Sequence, residues 1–172
     1  MESTDRVFLD CAVRKLRQLA GRIEGCLGRL SEEQIWARGA ENENAVGNLV
    51  LHLSGNVRQW IIAAVGGKED IRQREAEFAT RGGRAAAGLA EHLRSIVAEA
   101  TGIIAALPPE RLSEPLVVQS YHVTVLEAIF HVTEHFAGHT GQIIFATKLL
   151  TGQDLGYHRH LWTTAAHGEQ TP

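Results

Sequence analysis

No proline occurs before Leu107. Pro108, Pro109 and Pro115 crowd into one connection, and Pro172 closes the chain. Because proline removes a backbone donor and clashes with the preceding turn, this distribution leaves nearly all of the 172 residues free to be helical. The apolar residues use that freedom. From about Thr4 to Leu30, Val7, Val13, Leu16, Leu19, Ile23, Leu27 and Leu30 recur mostly at three- and four-residue steps. Ser31 with Gln34 forms a capping box for one or two further turns through Trp36. Val46, Leu49, Val50, Leu53, Val57, Trp60, Ile61 and Ala64 predict a second long helix over Asn44–Val65, ended by Gly66-Gly67. Lys68–Thr80 is charged and predicts a short surface helix. A third long helix spans Ala85–Ala106. Leu116–Tyr121 is briefly extended, and a capping box of Thr124 and Glu127 opens a fourth long helix to about Thr151, with Gly152 as its C-cap.

These segments predict an all-α fold: one four-helix-bundle domain over residues 1–172, of up-down helices with short extra helices in the connections. Hydrophobic residues at 44% and charged residues at 22% fit a folded domain. The net charge of −3, with Lys and Arg scattered among Asp and Glu, gives no basic stripe, so nucleic acid is not an expected partner. ESTDR after Met1 offers no apolar leader, the longest apolar runs fall short of a membrane span, and two widely spaced cysteines, Cys11 and Cys26, suit a reducing compartment. A cytoplasmic protein with no membrane partner is the expectation. The aromatic tail DLGYHRHLW is expected to pack back onto the body.

Three histidines then stand four residues apart in HVTEHFAGHTGQ: His131, His135 and His139. Residues four apart stand one above another on a helix, so two imidazoles at that spacing can converge on one ion. Each such step drifts about 40° around the axis, so three cannot all face one centre. On the fourth helix His139 borders the apolar arc and His135 lies one step farther out. His131 lies farthest, near Glu127 and Gln142. On the second helix His52 sits just outside the apolar arc, with Asn48 and Asn56 one turn to either side.

Three neutral imidazoles with an open position are the donor set of a catalytic zinc site, and all-nitrogen ligation also suits nickel, copper or iron. Asn48, Asn56, Thr140 and Gln142 are candidates to orient the rings or a substrate. Against this, nine histidines produce an HxxxH spacing by chance in about every second chain of this kind, so on the spacing alone the histidines read more readily as core or surface groups than as ligands. His131, Glu134 and His135 also match H-x-x-E-H, a protease signature with Glu as base. The angular argument, which turns His131 away from the core, speaks against it. No Glu-x-x-His pairs of the di-iron kind are present.

The stretch ENENAVGNLVLHLSGNVRQWI, followed by HVTEHFAGHTGQIIFATKLLTGQDLGY, resembles the DinB/YfiT-like superfamily, and within it a helical branch of unknown function. The likeness covers nearly the whole chain, including the VGG turn and the EF-x-x-R segment. It implies a four-helix bundle, commonly a homodimer, with His52, His135 and His139 binding a divalent metal ion, zinc or nickel foremost. Relatives of that superfamily include thiol-dependent S-transferases, so the resemblance implies a low-molecular-weight thiol cosubstrate. The expected function is a metal-dependent transferase or hydrolase in which the ion activates a thiol or water toward a small electrophile, in detoxification or stress handling. No side chain stands out as a general base, and the catalytic group is left as the ion's own nucleophile. Asn48, Asn56, His131 and Gln142 are the expected second layer or pocket wall. The alternative is a noncatalytic metal- or ligand-binding homodimer, since the fourth helix is apolar over much of its circumference.

Overall fold

In the computed structural model, which describes residues 3–157, the long helices start at a capping position or a turn and stop at glycine or proline. Helix α1 (Thr4–Leu27) begins where the Ser3 side chain accepts the Arg6 N–H, and α2 (Glu32–Trp36) carries the full Ser31–Gln34 capping box. Helix α3 (Val46–Val57) continues without a break into a π-helical segment, Arg58–Val65, closed by Gly66 and by Gly67 at φ +72°. The wider winding is seen in the Gly66 N–H, which donates to Ile61 five residues back at 2.8 Å. Helix α4 (Arg74–Ala79) is short, and α5 (Ala86–Ala106) stops one residue before the proline pair. A 3-10 turn (Pro109–Ser113) leads into a hairpin of β1 (Pro115–Val118) and β2 (Tyr121–Thr124), antiparallel with Val118 opposite Tyr121. Helix α6 (Val125–Thr151) has the Thr124–Glu127 capping box at its start and Gly152 in the left-handed conformation at its end.

The expected bundle is present, with each long helix flanked by two others: α1 packs on α5 and α6, and α3 packs on the same two from the opposite corner. Arg6 on the first turn of α1 donates to the Ala105 carbonyl at the end of α5. Gln34 on α2 reaches the Leu150 carbonyl at the end of α6, and Lys68 beyond the π segment pairs with Glu99 late in α5. The four long helices therefore run up, down, down, up. Leu9, Leu16 and Ile23 of α1, Leu53 and Ile61 of the α3 rod, Leu89 and Leu93 of α5, and Val132 and Phe136 of α6 are wholly buried between them. Each contributes roughly 1.5–3 kcal/mol by leaving water. After α6, Leu155 is buried and the Tyr157 hydroxyl donates to the Arg22 carbonyl at 2.7 Å, so the start of the tail does return to α1. His158 to Trp162, the rest of that motif, lie outside the described residues. Among the described residues no helix is long and apolar enough to cross a membrane.

Candidate metal centre

Helices α3 and α6 run antiparallel side by side, and their facing rows bring His52, His135 and His139 together. One ligating nitrogen from each lies within 4.8 Å of the other two. His52 and His135 meet through their Nε2 atoms at 2.9 Å, and the His139 ring stands edge-on to both. This is the group of three that the helix geometry singles out. It is compatible with one metal ion, because all three are nitrogen donors that must be neutral to ligate.

Burial keeps His135 and His139 so. Burial, with the neighbouring His139, His52, His131 and Arg72, pushes the His135 imidazole down to about 4, and burial likewise lowers His139 despite its bond to Gln142. The His139 Nδ1 is held by Gln142 Oε1 at 2.7 Å, which leaves Nε2 for the cluster.

The orientation of His52 comes from a segment the sequence reading misplaced. Lys68–Thr80 is not simply a solvated surface helix: Glu77 is buried, and its carboxylate stands 3.0 Å from His52 Nδ1. Arg72, only 3% exposed at its side chain, grips that carboxylate with Nε at 2.8 Å and Nη2 at 2.8 Å, while its Nη1 donates to Gln59 at 2.9 Å. Arg72 Nη2 also lies 3.1 Å from His52 Nδ1. The arrangement fits the tautomer in which Nδ1–H donates to Glu77, because the arginine donors already have acceptors; Nε2 is then an open lone pair. Burial alone would raise the Glu77 carboxyl, but the hydrogen bonds from Arg72 and His52 outweigh it and hold it below the usual carboxylate range. A carboxylate–histidine contact of this kind fixes a ligand ring and raises its basicity. Gly55 makes the approach possible: a Cβ there would overlap Glu77 Oε1 and lie 2.8 Å from its Cδ.

Asn48 does not face the cavity. It is fully buried behind the cluster, accepting from Arg38 at 2.6 Å and donating to the Glu77 and Thr80 carbonyls at 2.8 and 2.9 Å, so it anchors the strand of chain that carries Glu77. Thr140 returns its hydroxyl to the Phe136 carbonyl and plays no part in the cluster.

A cleft of about 510 Å³ opens in front of His52 and His135. Asn56 lines it, with its Oδ1 buried and unpartnered among the described residues. His131 lines it too, outside the group of three ligand candidates. Its ring lies 4.2 Å from Trp60 and 5.6 Å from His135, centroid to centroid. The wall extends beyond the bundle core because the π segment and the hairpin build it outward, so a residue far from the apolar arc still faces protein. Glu134 instead lines a groove on the other side of α6, with Phe130 and Ala137, which removes the base from the H-x-x-E-H reading.

The hairpin supplies Gln119, Tyr121 and Val123 to the cleft. Its two turn residues, Gln119 at φ 50° and Ser120 at φ 66°, occupy the left-handed region that two-residue hairpins require and that Asn-Gly normally fills. This costs roughly 1 kcal/mol per residue. Gln119 docks the tip by donating to Gln59, the same side chain that accepts from Arg72. Glu77, Arg72, Trp60 and the hairpin residues escaped the sequence reading; the EF-x-x-R likeness was the only pointer to any of them.

The family described as "Protein of unknown function (DUF1572)" matches residues 3–159. No curated protein matches the chain significantly. Among solved structures, a conserved protein from Enterococcus faecalis superposes with a TM-score of 0.71 at 17% identity, covering 84% of this chain and 97% of that one. A DinB-like protein from Bacillus subtilis gives 0.64 at 14% identity, covering 83% and 93%, and one from Bacillus cereus gives 0.66 at 13%, covering 84% and 93%. At these identities the likeness is one of fold, and the fold is that of DinB-like proteins.

Proposed function

The chain belongs to the DUF1572 family and has the DinB-like fold, and from that premise we propose that it is a metal-dependent enzyme whose His52, His135 and His139 hold one divalent ion, zinc or nickel. The observation that carries the reading is the convergence of three imidazole nitrogens within 4.8 Å, with His52 and His135 lining an open cleft. A divalent ion in that place supplies Lewis acidity, lowering the pKa of a small thiol or a water so that it can attack a small electrophile by S-transfer or hydrolysis.

The chain's own residues set up that chemistry. The donor set is three imidazoles with no carboxylate or thiolate among them, so no ligand charge would diminish the ion's acidity, and among the described residues the anion hydrogen-bonded to the set is Glu77, which acts through the His52 Nδ1–H. Gln142 holds the His139 ring, and the Trp60 and His131 rings, tilted by 38° with centroids 4.2 Å apart, form one wall of the cleft. Among the described residues the one carboxylate that lines the cleft, Glu127, is engaged by the Thr124 N–H and hydroxyl.

A homodimer belongs to the same reading. Phe130, Phe145 and Leu149 stand 61%, 65% and 70% exposed on the outer side of α6, an apolar surface that a second copy of the chain would cover. The setting is cytoplasmic and the other partner a small molecule.

Elemental analysis of purified wild type beside His135→Ala tests ligation: one metal per chain is expected in the first and a small fraction in the second. Metal-loaded protein is then incubated with a panel of cellular thiols and a chlorinated aromatic acceptor. Equal metal content in both proteins would end the ligand assignment, and absence of turnover with every thiol would end the transferase reading.

A further inference from the structure

We propose that the cleft beside the three histidines takes a small carboxylate, its planar apolar body lying on the Trp60–His131–Tyr121 wall and its anion paired with Arg74. This deepens the metal reading by naming a substrate class, and it rests on side chains outside the ligand set.

The charge inventory of the cleft gives the sign. Its lining holds Arg72, Arg74 and Glu127. Arg72 is spent on Glu77 and Gln59. Glu127 is spent on the capping box, accepting from the Thr124 N–H at 2.7 Å and the Thr124 hydroxyl at 2.8 Å. Arg74, exposed, has neither a hydrogen bond nor an ion pair among the described residues; its guanidinium lies over a ring, with Cζ 5.0 Å from the Phe78 centroid. A guanidinium resting on an aromatic face keeps its N–H donors for a planar anion, and carboxylate is the group whose two oxygens match them. In a chain of net charge −3, this leaves one uncompensated cation in the cleft.

The rings give the shape. Phe78 also meets the His52 ring at a tilt of 39°, with centroids 4.8 Å apart, so Arg74 is two ring contacts from His52, and a ligand spanning them is small. On the facing wall Trp60 and Tyr121 tilt by 33° with centroids 6.3 Å apart, and Tyr121 is left 62% exposed. Trp60 Nε1, a donor, is buried there without a partner. A cleft of about 510 Å³ lies inside the range of roughly 300–1,000 Å³ that small ligands occupy.

The test is isothermal titration of 2-naphthoate and its neutral amide, 2-naphthamide, into wild type, Arg74→Gln and Arg74→Lys, each chelator-treated and zinc-loaded. Naphthoate is expected to bind wild type at least tenfold tighter than the amide in both metal states. Arg74→Gln is expected to abolish the preference in the chelated protein, and Arg74→Lys to keep part of it. Tyr121→Ala should weaken both probes alike. A preference that is absent in wild type, or unchanged in chelated Arg74→Gln, overturns the proposal, as does failure of both probes to bind. Because the chelated arm needs no metal, a failure there is separate from a failure of the His52–His135–His139 assignment, which the elemental analysis reads.

Discussion

The seam between α1 and α5 and the seam between α3 and α4 are both buried, yet they are built from different materials. Leu9, Leu16, Leu89 and Leu93 fill the first, and its one buried polar side chain, Thr101, returns its hydroxyl to its own helix. The second holds Asn48, His52, Asn56 and Glu77, with Arg72 closing over them. A dry seam gains free energy from every methylene it buries. A polar seam contributes little net stability, since desolvating the Arg72–Glu77 pair offsets most of its attraction, but it fixes one orientation of one ring. Among the described residues the buried ion pair stands where His52 has to be aimed.

The largest expected effect sets the two seams against each other. Glu77→Ala leaves Arg72 buried without its anion and should cost about 3–5 kcal/mol, while weakening zinc or nickel binding roughly 10–100-fold. Leu16→Ala should cost a comparable 2–5 kcal/mol and leave metal affinity untouched. Chemical denaturation with metal titration checks both, and equal loss of metal affinity in the two variants would erase the distinction. Replacing both partners, Arg72→Met with Glu77→Leu, should restore most of the stability and none of the metal affinity.

Next in size is the pH response of the metal-free protein. The folded His135 sits at about 4, below its ordinary 6.5, so the unfolded chain binds the proton first. The stabilisation is complete above pH 6.5 and is lost as pH falls toward 4, by no more than about 3 kcal/mol from this group. His131 and His139, also lowered by burial, act in the same direction. Glu77, lowered as well, adds to the loss only below about 4.5. Melting temperature measured across pH 7.5 to 4 should decline, and His135→Gln should flatten the curve; a flat wild-type profile would contradict the burial of neutral imidazoles.

Gly55→Ala comes third. A methyl in a helix interior ordinarily gains about 0.5–1 kcal/mol over glycine. Here it meets the clamped Glu77, so a net loss of roughly 1–2 kcal/mol, with weaker metal binding, is expected in the same denaturation and titration assays. The smallest effect belongs to the hairpin. Ser120→Gly should relieve the left-handed strain and raise stability by less than about 1 kcal/mol, part of the gain being offset by the freer unfolded chain, and leave metal binding as it was.

The helices, their capping boxes and the HxxxH pair were all written in the sequence, because helix periodicity and capping are set by neighbours three and four residues away. His52 could be placed near a common cavity for the same reason. What no local pattern could show was that Glu77 and Arg72, two charges in a polar run, are buried: a charge leaves water only when a partner of opposite sign stands in the right place, and that partner is chosen by packing. The same holds for His131. Its angle on α6 was legible, but the wall it faces is made by the π segment and the hairpin, whose positions depend on how α3 and α6 dock. Sequence thus determined which rods form and which imidazoles share a face, while tertiary structure decided which of them is aimed, by what carboxylate, and into what cleft.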